Sequence, residues 1–421
     1  MTMSFAHLVA DMQLPPRSHP NQRVRNDVSL QINADRCLRL RSRYNDCDRC
    51  AQVCPAHVLH VSNERIELGE GCLRCGQCSA ACPTEALQTE GFAVSPPPAA
   101  SSRTPLYVDC WKVPASDSPH DAIRVPCLGG IALHHLVQLH AAAEDRQLVL
   151  LDRGWCGQCS AGCVSHHPAQ ETLDAARALL AELGVAEQAL PRMESLPLPR
   201  VQMPTEIPEP LAAQPLSRRE FFAGFTRNAA RAIAPMATVK PNEDAQSRRA
   251  HVAKIETTAR SQLVAQAAAL GARHGRPLPA ELFPALRIAD ACCNHQVCAA
   301  TCPTRALHAY RSEDGAAAGI AFDAAACIAC GDCTRACPER ALTLVPQGDG
   351  EVPRGATALT RWTLRECHDC GHEFADSSSS SVCPTCRKTR ELARTSFSQL
   401  FGAARNPHGE RMPMETSAGT D

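Results

Sequence analysis

Large rings are scarce in this chain: three Trp, three Tyr and ten Phe, together 4% of 421 residues. Cores built with so few of them are small, so another source must supply part of the folding free energy. No apolar run approaches the length that crosses a bilayer, and no membrane span is expected. The opening MTMSFAHLVADMQLPP has no basic stretch leading into an apolar core, the pattern an export signal needs, so a cytoplasmic location is expected. A net charge of −1 provides no field to gather nucleic acid or an anionic membrane surface. Phosphate-cradling loops of the GxGxxG or P-loop kind are missing too, which removes the expectation of a flavin, nicotinamide or ATP site. No acid–base or nucleophile constellation stands out, so a non-catalytic carrier or subunit is favoured over an enzyme.

What the chain has instead is cysteine, 25 residues of it. Disulfides explain such numbers in small secreted domains, but thiols set in ligand spacings along a chain of this length fit a reducing compartment. The length allows about two to four domains. The most regular stretch, CLRCGQCSAACPTEAL at 72–87, returns as CIACGDCTRACPERAL at 327–342, and a looser form precedes each, CDRCAQVCPAHVL at 47–59 and CCNHQVCAATCPTRAL at 292–307. C-x2-C-x2-C wraps one turn of backbone around three corners of an iron–sulfur cube, and the following Cys-Pro sulfur points away to a neighbouring cube. Zinc is the rival, because thiolates suit both metals; zinc sites, however, favour paired C-x2-C knuckles.

Each pair of motifs resembles the bacterial-type two-[4Fe-4S] ferredoxin family, and the two units cover about a third of the sequence. The resemblance implies two βαββαβ units, at 31–92 and 280–347, holding four [4Fe-4S] clusters. HVSNERIEL after Leu59 reads as two short strands around a turn, and LHAYRSEDGAAAGIAF takes the same place in the second unit, as expected of a duplicated module. Cys54, Cys72, Cys75 and Cys78 form one expected ligand set, and Cys302, Cys327, Cys330 and Cys333 another. Each looser motif lacks one thiol. In the first, the position due a cysteine is Tyr44, and Cys37 is the available substitute, giving Cys37, Cys47, Cys50 and Cys82; the alternative is an open corner with a three-iron cluster or a non-cysteine ligand. In the second, Cys292, Cys298 and Cys337 are joined by either His295, which holds the position due a cysteine, or the adjacent Cys293. Imidazole does ligate iron in Rieske centres.

Between the units, SPPPAASS at 95–102 is a linker, after which the pattern becomes α/β over 104–186. LYVDC, AIRVPC and QLVLLDRGWC read as strands ending at or near cysteine, and IALHHLVQLHAAAE and PAQETLDAARALLAELG as helices. Sites in open α/β sheets form outside the carboxyl ends of strands, so Cys110, Cys127, Cys156, Cys159 and Cys163 should converge on one edge. CLGG at 127–130 and GWCGQCSAGC at 154–163 are similar to the delta subunit of methyl-viologen-reducing hydrogenase. That family passes electrons between a hydrogenase or formate dehydrogenase and heterodisulfide reductase, which implies an additional cluster on Cys127, Cys156, Cys159 and Cys163. A zinc site and redox-active thiols, for which C-x2-C at 156–159 is suited, are the other readings. His166 and His167 are expected to face solvent.

Residues 187–216, with seven prolines, read as a semi-rigid linker, and 217–275 as a helical segment. Ser217, Arg218, Arg219, Phe221 and Phe222 mimic a twin-arginine signal in mid-chain. This motif ahead of the second unit is similar to the ferredoxin-type protein of periplasmic nitrate reductase systems, which implies a link to molybdoenzyme maturation; a helix start capped by Ser217 and Glu220 explains the same residues. Finally, Cys367, Cys370, Cys383 and Cys386 form two C-x2-C pairs twelve residues apart, a zinc-ribbon spacing over 360–392 for Zn2+ or a single iron. Residues 1–30 are expected to be a flexible arm and 402–421 a disordered tail.

The sequence thus predicts an α+β multidomain protein of two ferredoxin-like units, a middle α/β domain and a C-terminal zinc ribbon. The expected function is electron relay through several clusters to or from a redox partner protein, a molybdenum or tungsten oxidoreductase such as formate dehydrogenase or nitrate reductase. The alternative is a cytoplasmic maturation or docking factor for such an enzyme.

Overall fold

The structure, a computed structural model, describes residues 29–92, 105–143, 146–162, 166–199, 237–239, 253–346 and 355–401. Cys163, the segment around Arg218-Arg219, most of the expected arm and the whole expected tail lie outside these residues. The described chain is mixed α/β with small sheets.

The first cysteine module opens on strand β1 (Leu30–Ile32), passes short helices α1 (Leu38–Arg41) and α2 (Arg49–Gln52), turns through β2 (Leu59–Val61) and β3 (Ile66–Leu68), and returns through α3 (Gln77–Ala81) to β4 (Leu87–Thr89). β1 and β4 pair antiparallel, as do β2 and β3. A third strand, β9 (Ala237–Val239), pairs antiparallel with β3; it lies inside 217–275, which the sequence reads as helical. The core here is small, with buried Leu59, Ile66, Ala86 and Leu87 packed around Cys37 and Cys50.

The middle region carries a parallel sheet in the order β6-β5-β7-β8, built from β5 (Leu106–Cys110), β6 (Ile123–Val125), β7 (Leu148–Asp152) and β8 (Arg192–Ser195). Leu148 to Leu151 are all buried, as expected of a central strand covered on both faces. Helices α4 (Leu133–Ala142) and α5 (Gln170–Glu182) supply the covering. The sheet therefore runs beyond residue 186 into the stretch read as linker. β8 escapes sequence reading because RMES is a polar edge strand, held between Pro191 and Pro197.

The long helix α6 (Thr258–His274) packs on α4. Residues 253–259 just before and at its start act as a strap: Arg41 and Arg36 of the first module donate to the carbonyls of Ala253 and Glu256 at 2.7 and 2.8 Å. Lys254 donates to the carbonyls of Ala299, Ala300 and Cys302 in the second module. That second module repeats the β-α-β-β-α-β order: β10 (Pro284–Ile288), α7 (Val297–Thr301), β11 (Leu307–Arg311), β12 (Ala317–Phe322), α8 (Asp332–Ala336) and β13 (Leu342–Pro346). β10 pairs with β13 and β11 with β12, all antiparallel. Two short strands, β14 (Thr357–Ala358) and β15 (Trp362–Thr363), join β12 and extend this sheet past residue 347, where the sequence ends the unit. The C-terminal region pairs β16 (Arg365–Glu366) with β17 (Glu373–Phe374) and continues into α9 (Pro384–Phe401), nine residues beyond the expected boundary at 392. Among the described residues, no helix is long and apolar enough to cross a membrane.

Candidate metal centres

Backbone conformation shows how the ligand loops are formed. In the loop 72–76, Arg74 and Gly76 take positive φ of 56° and 81°, and in 327–331, Ala329 and Gly331 take 52° and 74°. These left-handed residues flank Cys75 and Cys330, turning the chain so that the C-x2-C-x2-C sulfurs face one centre. The loop 292–296 has the same signature, with Asn294 at 54° and Gln296 at 58° flanking His295. The loop 44–50 has none, and Tyr44 is exposed. Each Cys-Pro corner also has a left-handed residue three positions after its cysteine: His57, Glu85, Arg305 and Arg340.

The sulfurs gather in four places within the two modules. Cys37 lies within electrostatic reach of Cys82 and Cys47, and Cys50 of all three. Cys78 is similarly close to Cys75, Cys72 and Cys54. In the second module Cys333 is near Cys330, Cys327 and Cys302, while Cys298 is near Cys292 and Cys337. Cys293, His295 and Glu339 offer donor atoms within 4.8 Å of one another beside that last group, and His295 Nε2 lies 3.0 Å from Glu339 Oε1.

Burial dominates the electrostatics. It pushes the thiols of Cys50, Cys78, Cys330 and Cys333 up to about 12, with neighbouring sulfurs adding to the shift. Cys75 and Cys298 rise to about 11, again mainly through burial. Sets of buried thiols cannot ionise together without a compensating cation. Among the described residues, the one all-cysteine group with sulfurs within 4.8 Å of one another is Cys367, Cys370, Cys383 and Cys386. A single tetrahedral ion with bonds of about 2.3 Å spaces its sulfurs about 3.8 Å apart. The C-terminal set meets that demand, with Cys370 Sγ and Cys383 Sγ 4.0 Å apart. The wider sets in the modules have room for a larger, multi-iron group, and their donors fit one.

Backbone N–H groups of Ala86, Ala341 and Leu307 donate to the sulfurs of Cys82, Cys337 and Cys302 at 3.2, 3.3 and 3.4 Å. Such bonds favour the reduced form of a cluster and are one of the protein's levers on its potential.

Residues 320–342 match a family model described as a 4Fe-4S binding domain. The match includes Cys327, Cys330, Cys333 and Cys337 and supports iron–sulfur binding by this chain. No curated protein matches the chain.

At the carboxyl ends of β5 to β7 a further thiol group forms. Cys127 lies within reach of Cys110 and Cys159, and Cys156 of Cys127 and Cys159. Burial raises all of Cys110, Cys127 and Cys156, Cys110 to about 12. Lys112 Nζ donates to Cys159 Sγ at 3.5 Å. Contrary to the solvent-facing expectation, His167 places Nε2 3.4 Å from Cys156 Sγ, and Asp152 joins them as a third donor. Beneath this edge, Arg153 and Asp109 form a buried pair at 2.7 Å that ties the ends of β5 and β7 together. The group also abuts the first module: Cys75 is one of the charges acting on Cys127. A Cβ on Gly130 would sit 2.3 Å from the Cys75 carbonyl, so only glycine permits this approach.

Sequence reasoning missed Lys112, His167 and Glu339 as neighbours of the sulfurs. The DRGWC and CPE contexts of the nearby cysteines contain no spacing rule that would single them out.

Proposed function

We propose that the protein is an iron–sulfur electron carrier with two duplicated dicluster ferredoxin units holding four [4Fe-4S] clusters. The ligand sets are Cys37, Cys47, Cys50 and Cys82; Cys54, Cys72, Cys75 and Cys78; Cys302, Cys327, Cys330 and Cys333; and Cys292, Cys298 and Cys337 with His295. The observation that carries this reading is adjacency: Cys50 acts on Cys78 across the first unit, and Cys298 acts on Cys333 across the second. Neighbouring sets are thus close enough to exchange electrons. The clusters supply reversible one-electron redox chemistry with little atomic rearrangement. The chain's part is to hold the sulfurs, exclude water from them and aim N–H groups at them.

For the irregular set, the left-handed pair around His295 favours histidine over Cys293, because His295 stands where Cys75 and Cys330 stand in the regular loops. Glu339 at Nε2 fixes the ring and leaves Nδ1 for iron, as second-shell carboxylates do for metal-bound histidines. The thiols Cys110, Cys127, Cys156 and Cys159, with Cys163 outside the described residues, hold a further cluster next to the Cys75 set. Cys367, Cys370, Cys383 and Cys386 bind Zn2+ as a ribbon. The partner is a molybdenum or tungsten oxidoreductase.

The test is mediated electron transfer. Anaerobically purified protein reduced by dithionite should be reoxidised by nitrate reductase in the presence of nitrate, and the oxidised protein should be reduced by formate dehydrogenase in the presence of formate. Full iron loading without turnover on any such enzyme would point instead to the maturation role.

A further inference from the structure

The two ferredoxin-like modules are far apart in sequence, yet one buried contact joins their ligand loops. Asn45, 3% exposed, donates from Nδ2 to Asp332 Oδ1 at 2.8 Å, and Asp332 is 2% exposed. On one side, Asn45 Oδ1 accepts from the backbone N–H of Cys47 at 2.9 Å. On the other, Asp332 stands two residues after Cys330, and its carboxylate acts on that sulfur. Two hydrogen bonds through Asn45 thus join the Cys47 loop of one unit to the Cys330 loop of the other. Cys82 and Cys327, from the same two sets, open onto one cavity of about 1030 Å³ between the modules. Two independent features therefore place these sets face to face.

We propose that electrons pass between the units at Asn45–Asp332, from the Cys47 set to the Cys330 set or back. This rests on the electron-carrier reading above and gives it an order. The sites stand in single file: the Cys127 thiols, the Cys75 set, the Cys47 set, the Cys330 set and the Cys298 set. At the far end, Ser377 Oγ donates to the Cys292 carbonyl at 3.1 Å and Asn294 Nδ2 to the Ala375 carbonyl at 2.7 Å, so the C-terminal ribbon covers the last site. Each step moves one electron: the donor cluster is oxidised by one, its neighbour reduced by one, and no bond or proton changes place. Tunnelling falls steeply with separation, so a hydrogen-bonded bridge between two ligand loops is the natural crossing.

Asp332 adds a fixed negative charge beside Cys330. Its charged neighbours are Arg335, at 3.4 Å, and Arg41. An unreduced cluster is the less negative state, so this carboxylate lowers the potential of the Cys330 set.

The experiment uses the full chain carrying Cys298→Ser, which removes the set on the other side of Cys330. In the reduced protein the Cys330-set EPR signal should still be split by spin coupling. Adding Cys50→Ser should collapse the splitting, whereas adding Cys75→Ser should preserve it. The reverse result would overturn the order while leaving the carrier reading intact, and absence of iron from the parent protein would sink that reading itself. Because multiple substitutions can impair folding, Asp332→Asn provides a second readout. It retains an acceptor for Asn45 and should raise a single midpoint potential with the wild-type splitting preserved; no shift in any midpoint would overturn the proposal.

Discussion

The two irregular ligand loops meet the same defect in opposite ways. At 292–298 the backbone keeps the left-handed pair of a regular loop, and His295 stands where the regular loops have a cysteine. At 44–50 that backbone is absent, Tyr44 faces solvent, and a sulfur arrives from elsewhere: Cys37, 8% exposed at the start of α1. On the proposed ligand sets, the first loop retains geometry and alters chemistry, whereas the second retains chemistry and alters geometry. Sulfur versus nitrogen ligation also implies different potentials, since imidazole is neutral where thiolate is anionic.

The largest effect should come from Cys37→Ser. Because Cys37 fills the corner that Tyr44 leaves, the variant should lose about four irons per chain or retain a three-iron cluster, as read by iron analysis and EPR; full loading as a cube would remove Cys37 from the site. His295→Ala should do comparable damage in the second unit. His295→Cys should restore a cube and abolish the nitrogen hyperfine coupling that the native protein shows in pulsed EPR. If Cys293→Ser, and not His295→Ala, depletes the cluster, the backbone argument is wrong. Glu339→Ala should act more gently, lowering metal retention under chelator challenge by about 10–100-fold. Smallest of all should be Tyr44→Cys. It supplies the textual motif without the left-handed backbone, so it should change neither iron content nor spectrum, and rescue of Cys37→Ser by it would break the comparison.

Much of the outline was legible because cysteine spacing and apolar runs are local. The hairpin at 59–68 and the strands β5 and β7 fall where the residues predict them. The convergence of Cys110, Cys127, Cys156 and Cys159 follows from strand direction alone. Other features were hidden because their causes are not local. β8 has no apolar alternation and depends on its neighbour β7. Asn45 and Asp332 look like ordinary loop residues until two distant loops meet. The choice between Cys293 and His295 depends on φ at Asn294 and Gln296, neither of which is glycine. A sequence pattern expecting glycine after the second ligand, as at Gly76 and Gly331, therefore misses that loop.

The most direct test is anaerobic iron, sulfide and zinc analysis of the full chain, with EPR after dithionite reduction. The account predicts about sixteen irons from the two modules, at four per cube, more when the middle thiols are loaded, and about one zinc. Colourless protein with zinc at every cysteine set and no reducible signal would contradict it.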